Sequence, residues 1–282
     1  VSSENTKNQN QPARIHRIGA ISFFNTRPLI YQLEAHPQIE LTRVVPAQLA
    51  HAINTNTVDT GLVPSIDYQR NGNDWLILPI AAIVSNGPVL TVRIFSRRPI
   101  EKIQSLACDP DSHTSVILAQ IIWQLKFHRS LDTNPLPSKF DSADAVLLIG
   151  DKVIPQLDRW PYQFDLGQAW TELTRLPFVY AFWAVAAQAK HICEPLVKIL
   201  RQAYQQGTAN LDTVIDRYAG EHGFDKKLAR QYFAENVHFD FGPKERQGLK
   251  KFYELAHQFK LVPNLRSLKL HPFADIPGSL TH

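Results

Sequence analysis

The strongest constraint on this chain is a rhythm of short β-branched runs, each broken by helix-start chemistry and repeated in two sets. Arg17 to Ser22 (RIGAIS) is a run of strand type, and Asn25, Thr26, Arg27 and Pro28 then supply capping and first-turn residues ahead of Leu29, Ile30 and Leu33. Leu41 to Val45 is a second β-rich run, Pro46 opens a helix through Ile53, and Thr60 to Val63 is a third strand closed by Pro64. Strands alternating with short helices imply a parallel sheet. Leu76 to Val84 adds a long apolar strand that ends in the turn residues Ser85, Asn86, Gly87 and Pro88.

Two later stretches look alike. Pro88 to Phe95 (PVLTVRIF) and Pro177 to Val185 (PFVYAFWAV) are proline-led runs of crossing-strand character that bracket the middle third. Between them lies another α/β set: a strand around Leu106 to Cys108, a helix from Ser115 to Phe127 with Leu118, Ile121, Ile122 and Leu125 on one face, and a buried strand from Ala145 to Ile149. This predicts one lobe inserted in another. The expected division is a disordered tail at 1–13, a discontinuous lobe at 14–94 and 180–282, and an inserted lobe at 95–179. From Pro195 onward the chain reads as helical, with Leu196, Ile199, Leu200 and Ala203 on one face and Leu249, Phe252, Ala256 and Phe259 on another. Such stripes are the ordinary signature of burial against a core. Two α/β lobes joined by two crossing strands leave a cleft, where small ligands usually bind.

Of 282 residues, 44% are apolar and 20% charged, which excludes a disordered or fibrous chain. Lysine and arginine number 30 against 26 acidic residues, a formal charge of +4 dispersed along the chain. That balance favours a small anion over nucleic acid, which needs concentrated basic residues. Two cysteines, Cys108 and Cys193, without a CxxC pair argue against a disulfide framework or structural zinc and read as buried thiols. No apolar run reaches the about 18 residues of a membrane helix. The polar start, Val1 to Ala13, lacks a signal peptide's apolar region, so a cytoplasmic location is expected; the absence of any methionine leaves the true N-terminus open. No GxGxxG, P-loop or HExxH spacing occurs, so neither a cofactor nor a metal is expected.

Two segments can carry chemistry. Ser22 to Pro28 sits where a strand's carboxyl end meets a helix start, a place of free N–H groups and positive dipole. Asp111-Ser112-His113-Thr114-Ser115 occupies an equivalent place in the second set, with three hydroxyls to cap the helix or bind a carboxylate. Capping alone explains either motif. The pair on opposite lobes points further, to a dicarboxylate clamped between them. Asp109, Ser112 and His113 do not make a hydrolase triad, because Ser112 and His113 are adjacent and no GxSxG elbow is present. Gly150-Asp151 follows a buried strand and reads as a turn or a ligand contact.

As a set, SFFNTRPL (22–29), DTGLVPSIDY (59–68), SNGPVLTVRIFSRRPIE (85–101), DSHTSV (111–116), AVLLIGD (145–151), FDLGQAW (164–170) and LPFVYAFWA (176–184) resemble the chorismate dehydratases of the futalosine route to menaquinone. The resemblance runs in order from about Arg17 to Ala184. It implies an α/β, two-lobed fold of the type II periplasmic-binding-protein kind, each lobe a mixed sheet flanked by helices and joined by two crossing strands. It also implies that the enzyme removes water from chorismate, leaving 3-[(1-carboxyvinyl)oxy]benzoate, with Asn25 and Thr91 as catalytic residues. Residues implied to bind substrate are Ser22, Thr26, Ser65, Gly87, Pro88, Ser112, His113, Thr114, Ser115, Gly150, Asp151 and Phe178. Three positions depart from the usual pattern: Thr91 stands in place of a serine, His113 in place of an arginine, and Arg175 where a glycine commonly precedes LPF. A histidine paired with a substrate carboxylate would make binding pH-dependent.

An amide cannot be a general base, so the proton acceptor is expected to be the substrate's own enolpyruvyl carboxylate, held in place by the cleft. Asp67, Asp151 and His113 are the conventional alternatives. Two other functions stay open: a binding protein for a small anionic metabolite on the same fold, and the naphthoate-forming enzyme of the same pathway, which GPVLTV and LLIGD disfavour. The oligomeric state is not legible.

Overall fold

Residues 14–44, 46–70, 74–137 and 143–272 are described by a computed structural model, in which the chain builds two five-stranded sheets. The tail expected at 1–13 and the side chain of Cys193 lie outside the described residues; Cys108 is buried and unpaired, as expected. In chain order the strands are β1 (His16–Ala20), β2 (Ile39–Arg43), β3 (Thr60–Pro64), β4 (Trp75–Ser85), β5 (Val92–Ser96), β6 (Ser105–Cys108), β7 (Asp132–Pro135), β8 (Ala145–Ile149), β9 (Tyr162–Asp165) and β10 (Phe178–Ala186). The first sheet has the order β2-β1-β3-β10-β4 and the second β7-β6-β8-β5-β9.

Both sheets are mixed, and they are built alike. In the first, β1 runs parallel to β2 and β3 while β10 is antiparallel to β3 and β4. In the second, β6 runs parallel to β7 and β8 while β5 is antiparallel to β8 and β9. Strands β3, β8 and β10 are buried at every residue, which is why they read as unbroken apolar runs. The edge strands β2 (IELTR) and β7 (DTNP) are polar and largely exposed, and such edges resist pairing with another chain.

Helices cover the sheets: α1 (Pro46–Asn54), α2 (Ser65–Arg70), α3 (His113–Phe127), α4 (Leu166–Thr174), α5 (Cys193–Ala209), α6 (Leu211–Tyr218), α7 (Lys226–Gln231) and α8 (Pro243–Gln258). The apolar stripes expected on α5 and α8 are buried, with Leu196, Leu200, Leu249, Phe252 and Ala256 in the core. No helix among the described residues is long and apolar enough to cross a membrane.

The structure departs from the sequence reading in two places. The helix expected after Asn25 is a seven-residue 3₁₀ turn, Phe24–Ile30, with Pro28 inside it and every residue buried. Helix α5 packs on it so closely that a Cβ at Gly207 would lie 2.0 Å from the Pro28 carbonyl. Secondly, neither proline-led run crosses between the sheets as a strand. β5 lies wholly in the second sheet and β10 wholly in the first; the crossings are the turn at 86–91, and α4 with residues 175–177. Arg175, in the place of the usual glycine, keeps the turn by adopting a left-handed backbone (φ 61°) at the end of α4, where a Cβ costs about 1–2 kcal/mol.

Both crossings meet at one buried carboxylate. Asp165 caps α4 by accepting from Gln168 N at 3.0 Å, and it also accepts from Val89 N (3.0 Å), Leu90 N (2.9 Å) and the Arg93 guanidinium (3.1 Å). Removing it strands three N–H groups and a partly buried cation. Asp165→Ala is therefore expected to lower stability by about 3–5 kcal/mol, measured by urea unfolding; a loss below about 1 kcal/mol would mean that the clamp is dispensable.

Candidate functional site

A cavity lined by residues of both sheets lies between them, the kind of place where small ligands bind. Its polar wall comes from loops that follow the carboxyl ends of parallel strands, the usual ligand position in open α/β sheets. Asn25 and Thr26 follow β1, Asp111 to Ser115 follow β6, and Gly150 follows β8; Thr91 enters from the first crossing. Ile21, Ile83, Val92, Ile149 and Ala181 provide apolar floor.

Asn25, Thr26, Thr91, Ser112, His113, Thr114, Ser115 and Gly150 are thus brought together. Six other expected contacts are not part of the wall. Ser22 is exposed. The Ser65 hydroxyl is spent on the Val179 carbonyl at 2.8 Å. Gly87 and Pro88 form the outer part of the crossing turn, where Gly87 N donates to Thr171 and the Pro88 carbonyl accepts from Asn236. Phe178 is a core residue packed edge-on among Trp170, Tyr180 and Phe252. Asp151 is committed to the fold, since its carboxylate accepts from Phe24 N at 3.1 Å and pairs with His222 Nδ1 at 2.6 Å.

That placement corrects the picture of two facing amide ends. The amide end of the 24–30 turn is already met by Asp151, a carboxylate delivered from the second sheet. Arg27 Nε donates to His222 Nε2 at 3.1 Å, so the ring proton sits on Nδ1 and donates to Asp151. The opposite end is open for use. Ser112 precedes α3 without capping it, and its buried hydroxyl has no hydrogen-bond partner among the described residues. The first-turn N–H groups of an α-helix have no intrahelical partner and favour an anion.

His113 adds a titratable ring at the same place. Its Nδ1 lies 3.0 Å from both oxygens of Asp67, and this hydrogen bond raises its pKa above the ordinary 6.5 against the opposing effect of burial. Nε2 is the ring nitrogen left to face a ligand. Asp111, also on the wall, is held by Lys152 Nζ at 2.8 Å, which bridges to Asp109. Thr114 ties the two sides: its hydroxyl accepts from Ile66 N and donates to the Tyr180 carbonyl.

Thr91 is placed by strain. Its N–H bonds the Val89 carbonyl at 2.8 Å, closing a three-residue turn with Leu90 at φ 67°, the rarer and strained γ-turn form. The Thr91 carbonyl accepts from Gly150 N at 2.8 Å. Gly150 is itself left-handed (φ 59°), and a Cβ there would meet the Phe23 ring at 2.7 Å. Behind this pair lies Tyr232, absent from the sequence reading and fully buried. Its hydroxyl is 2.9 Å from Thr91 Oγ1 and accepts from Asn25 Nδ2 at 3.2 Å. No motif signals it; an apolar stripe cannot distinguish a working phenol from a packed one.

A family model described as menaquinone biosynthesis matches residues 16–258. Two curated relatives are both named chorismate dehydratase. The one from Thermus thermophilus is 27% identical over 263 residues, covering 86% of this chain and 95% of the relative. The one from Campylobacter jejuni is 28% identical over 257 residues, covering 86% and 99%. Among solved structures, a protein from Archaeoglobus fulgidus superposes with a TM-score of 0.69 at 18% identity, over 87% of this chain and 98% of that one. The periplasmic aliphatic sulphonate binding protein of Escherichia coli gives 0.64 at 16%, over 93% and 98%. These structural likenesses identify the two-lobed periplasmic-binding-protein fold.

The Asp67–His113 pair predicts a pH signature. Because the folded imidazole binds its proton more tightly than the unfolded one, its stabilisation is whole below about pH 6.5 and is lost as pH rises through the raised folded value. Urea midpoints should fall across that window in the wild type, and Asp67→Asn should flatten the fall. An unchanged slope in the variant would show that the pair contributes nothing.

Proposed function

The chain belongs to the menaquinone-biosynthesis family, and we propose that it dehydrates chorismate to 3-[(1-carboxyvinyl)oxy]benzoate in the cavity between its sheets, with a cytosolic location as part of the same reading. The observation that carries this is that Asn25 and Thr91 line one cavity together with His113 and Ser112, whose buried hydroxyl has no partner among the described residues. The likeness to two chorismate dehydratases along most of the chain supplies the substrate.

Chorismate carries two carboxylates. One is held by the α3 start, where Ser112 Oγ, the first-turn N–H groups and the His113 ring, whose charged form Asp67 favours, offer donors to a negative charge. A titratable ring, its charged form favoured by Asp67, stands where the resemblance implies a permanent guanidinium. The ring C–H on the carbon bearing the enolpyruvyl ether breaks, its electron pair becomes a ring double bond, and the neighbouring C–O bond breaks to release the hydroxyl as water. The product is aromatic, so placement matters more than driving force.

The proton acceptor is the substrate's enolpyruvyl carboxylate. Each protein alternative already has a partner: Asp67 and His113 hold each other, and Asp151 holds Phe24 N and His222. Thr91 donates to the departing hydroxyl and Asn25 orients the reacting groups, both from buried positions. Intramolecular proton transfer in a held conformer carries a high effective molarity.

Incubation with chorismate should yield a species lighter by one water in the mass spectrum. Asn25→Ala and Thr91→Ala should each lower kcat by about 10²-fold or more, with thermal melting shifted little. Chorismate that is bound tightly and recovered unchanged would make the protein a binder.

A further inference from the structure

We propose that Tyr232 is a positioning residue for the dehydration, using its phenol to turn the Thr91 hydroxyl proton toward the cavity; the inference rests on the function proposed above. Tyr232 opens the π-helical turn Tyr232–Asn236 and does not itself line the cavity. It acts from behind. Its ring is fully buried and packed against Phe224 and Phe233, so its orientation is not free to follow a ligand.

Hydrogen counting sets the direction of the chain. Burial holds the phenol's pKa well above its ordinary 10, so the proton stays on the oxygen and needs an acceptor. Two groups lie within reach, Asn25 Nδ2 and Thr91 Oγ1. The amide nitrogen only donates, and its orientation agrees with the Thr26 hydroxyl donating to Asn25 Oδ1. The phenol therefore accepts from Asn25 and donates to Thr91. Were Thr91 the donor, the phenol proton would be buried with no acceptor. With the phenol donating, Thr91 accepts through one lone pair and its own proton is free to point into the cavity, polarised by the bond behind it. Asn25 and Thr91, which approach from different elements, become one unit through a side chain that neither the substrate nor solvent reaches.

The test is a double-mutant cycle on chorismate turnover with Tyr232→Phe, Thr91→Ala and the double variant. Tyr232→Phe removes one oxygen and keeps the ring. Its kcat should fall roughly 10- to 10²-fold with KM nearly unchanged, less than the loss of a donor that touches substrate. Adding Tyr232→Phe to Thr91→Ala should cost nothing further. Independent, multiplying losses would overturn the inference, as would wild-type kcat in Tyr232→Phe. If the wild type binds chorismate without consuming it, the proposed function fails and the cycle is read on Kd by calorimetry: equal, non-additive weakening upholds the Tyr232–Thr91 unit, and independent or absent effects sink it. A wild type that neither binds nor converts chorismate overturns both.

Discussion

The joint between the two sheets, and with it the placement of Thr91, depends on the carboxylate of Asp165. The sheets are joined covalently at the turn 86–91 and at α4, and Asp165 accepts N–H groups from both while holding Arg93 at the start of β5. Leu90, left-handed between two residues whose amides or neighbours Asp165 grips, is a conformation that persists only when its surroundings over-determine it. The result is a threonine with a fixed heading, carried not by a strand or helix but by the joint between two sheets.

Charge across the cavity is arranged reciprocally. Asp67, on α2, pairs with His113 at the head of α3, whereas Asp151, after β8, pairs with His222 near α6 and caps the 24–30 turn. Each side thus offers one carboxylate and receives one imidazole. Such pairing uses up the acidic groups near the site, and the groups it leaves for a ligand are donors: a serine hydroxyl, helix amides, an imidazole nitrogen and a threonine. A chain with a formal charge of only +4 can build an anion site this way without a concentrated basic surface.

Local pattern carries much of this into the sequence. Strands buried on both faces announce themselves as apolar runs, and β3, β8 and β10 are legible within a residue or two. The helix-start chemistry of Ser112 to Ser115 is legible as well. Hidden from local pattern is any fact that depends on a distant partner. The segment after Asn25 carries the residues of a helix start, yet nothing local says that its amide is claimed by Asp151, 127 residues away in sequence. Ser65 and Phe178 sit inside family motifs but serve packing. The proline-led runs read as crossings because proline and β-branched residues mark a strand entry, whereas the crossing itself falls in the irregular residues beside them. Tyr232 lies in a helical region whose periodicity reports burial alone.

The two sheets share a strand plan in which the fourth position is filled by the segment arriving from the other sheet, β5 in one case and β10 in the other. During synthesis the first sheet therefore waits: β3 and β4 emerge early, but the strand that separates and joins them is made only after the whole second sheet has been traversed. Pairings this far apart along the chain carry high contact order and close slowly. The second sheet is contiguous and can nucleate alone, so the likeness of the two halves conceals an asymmetry in time, with the half translated first finishing last.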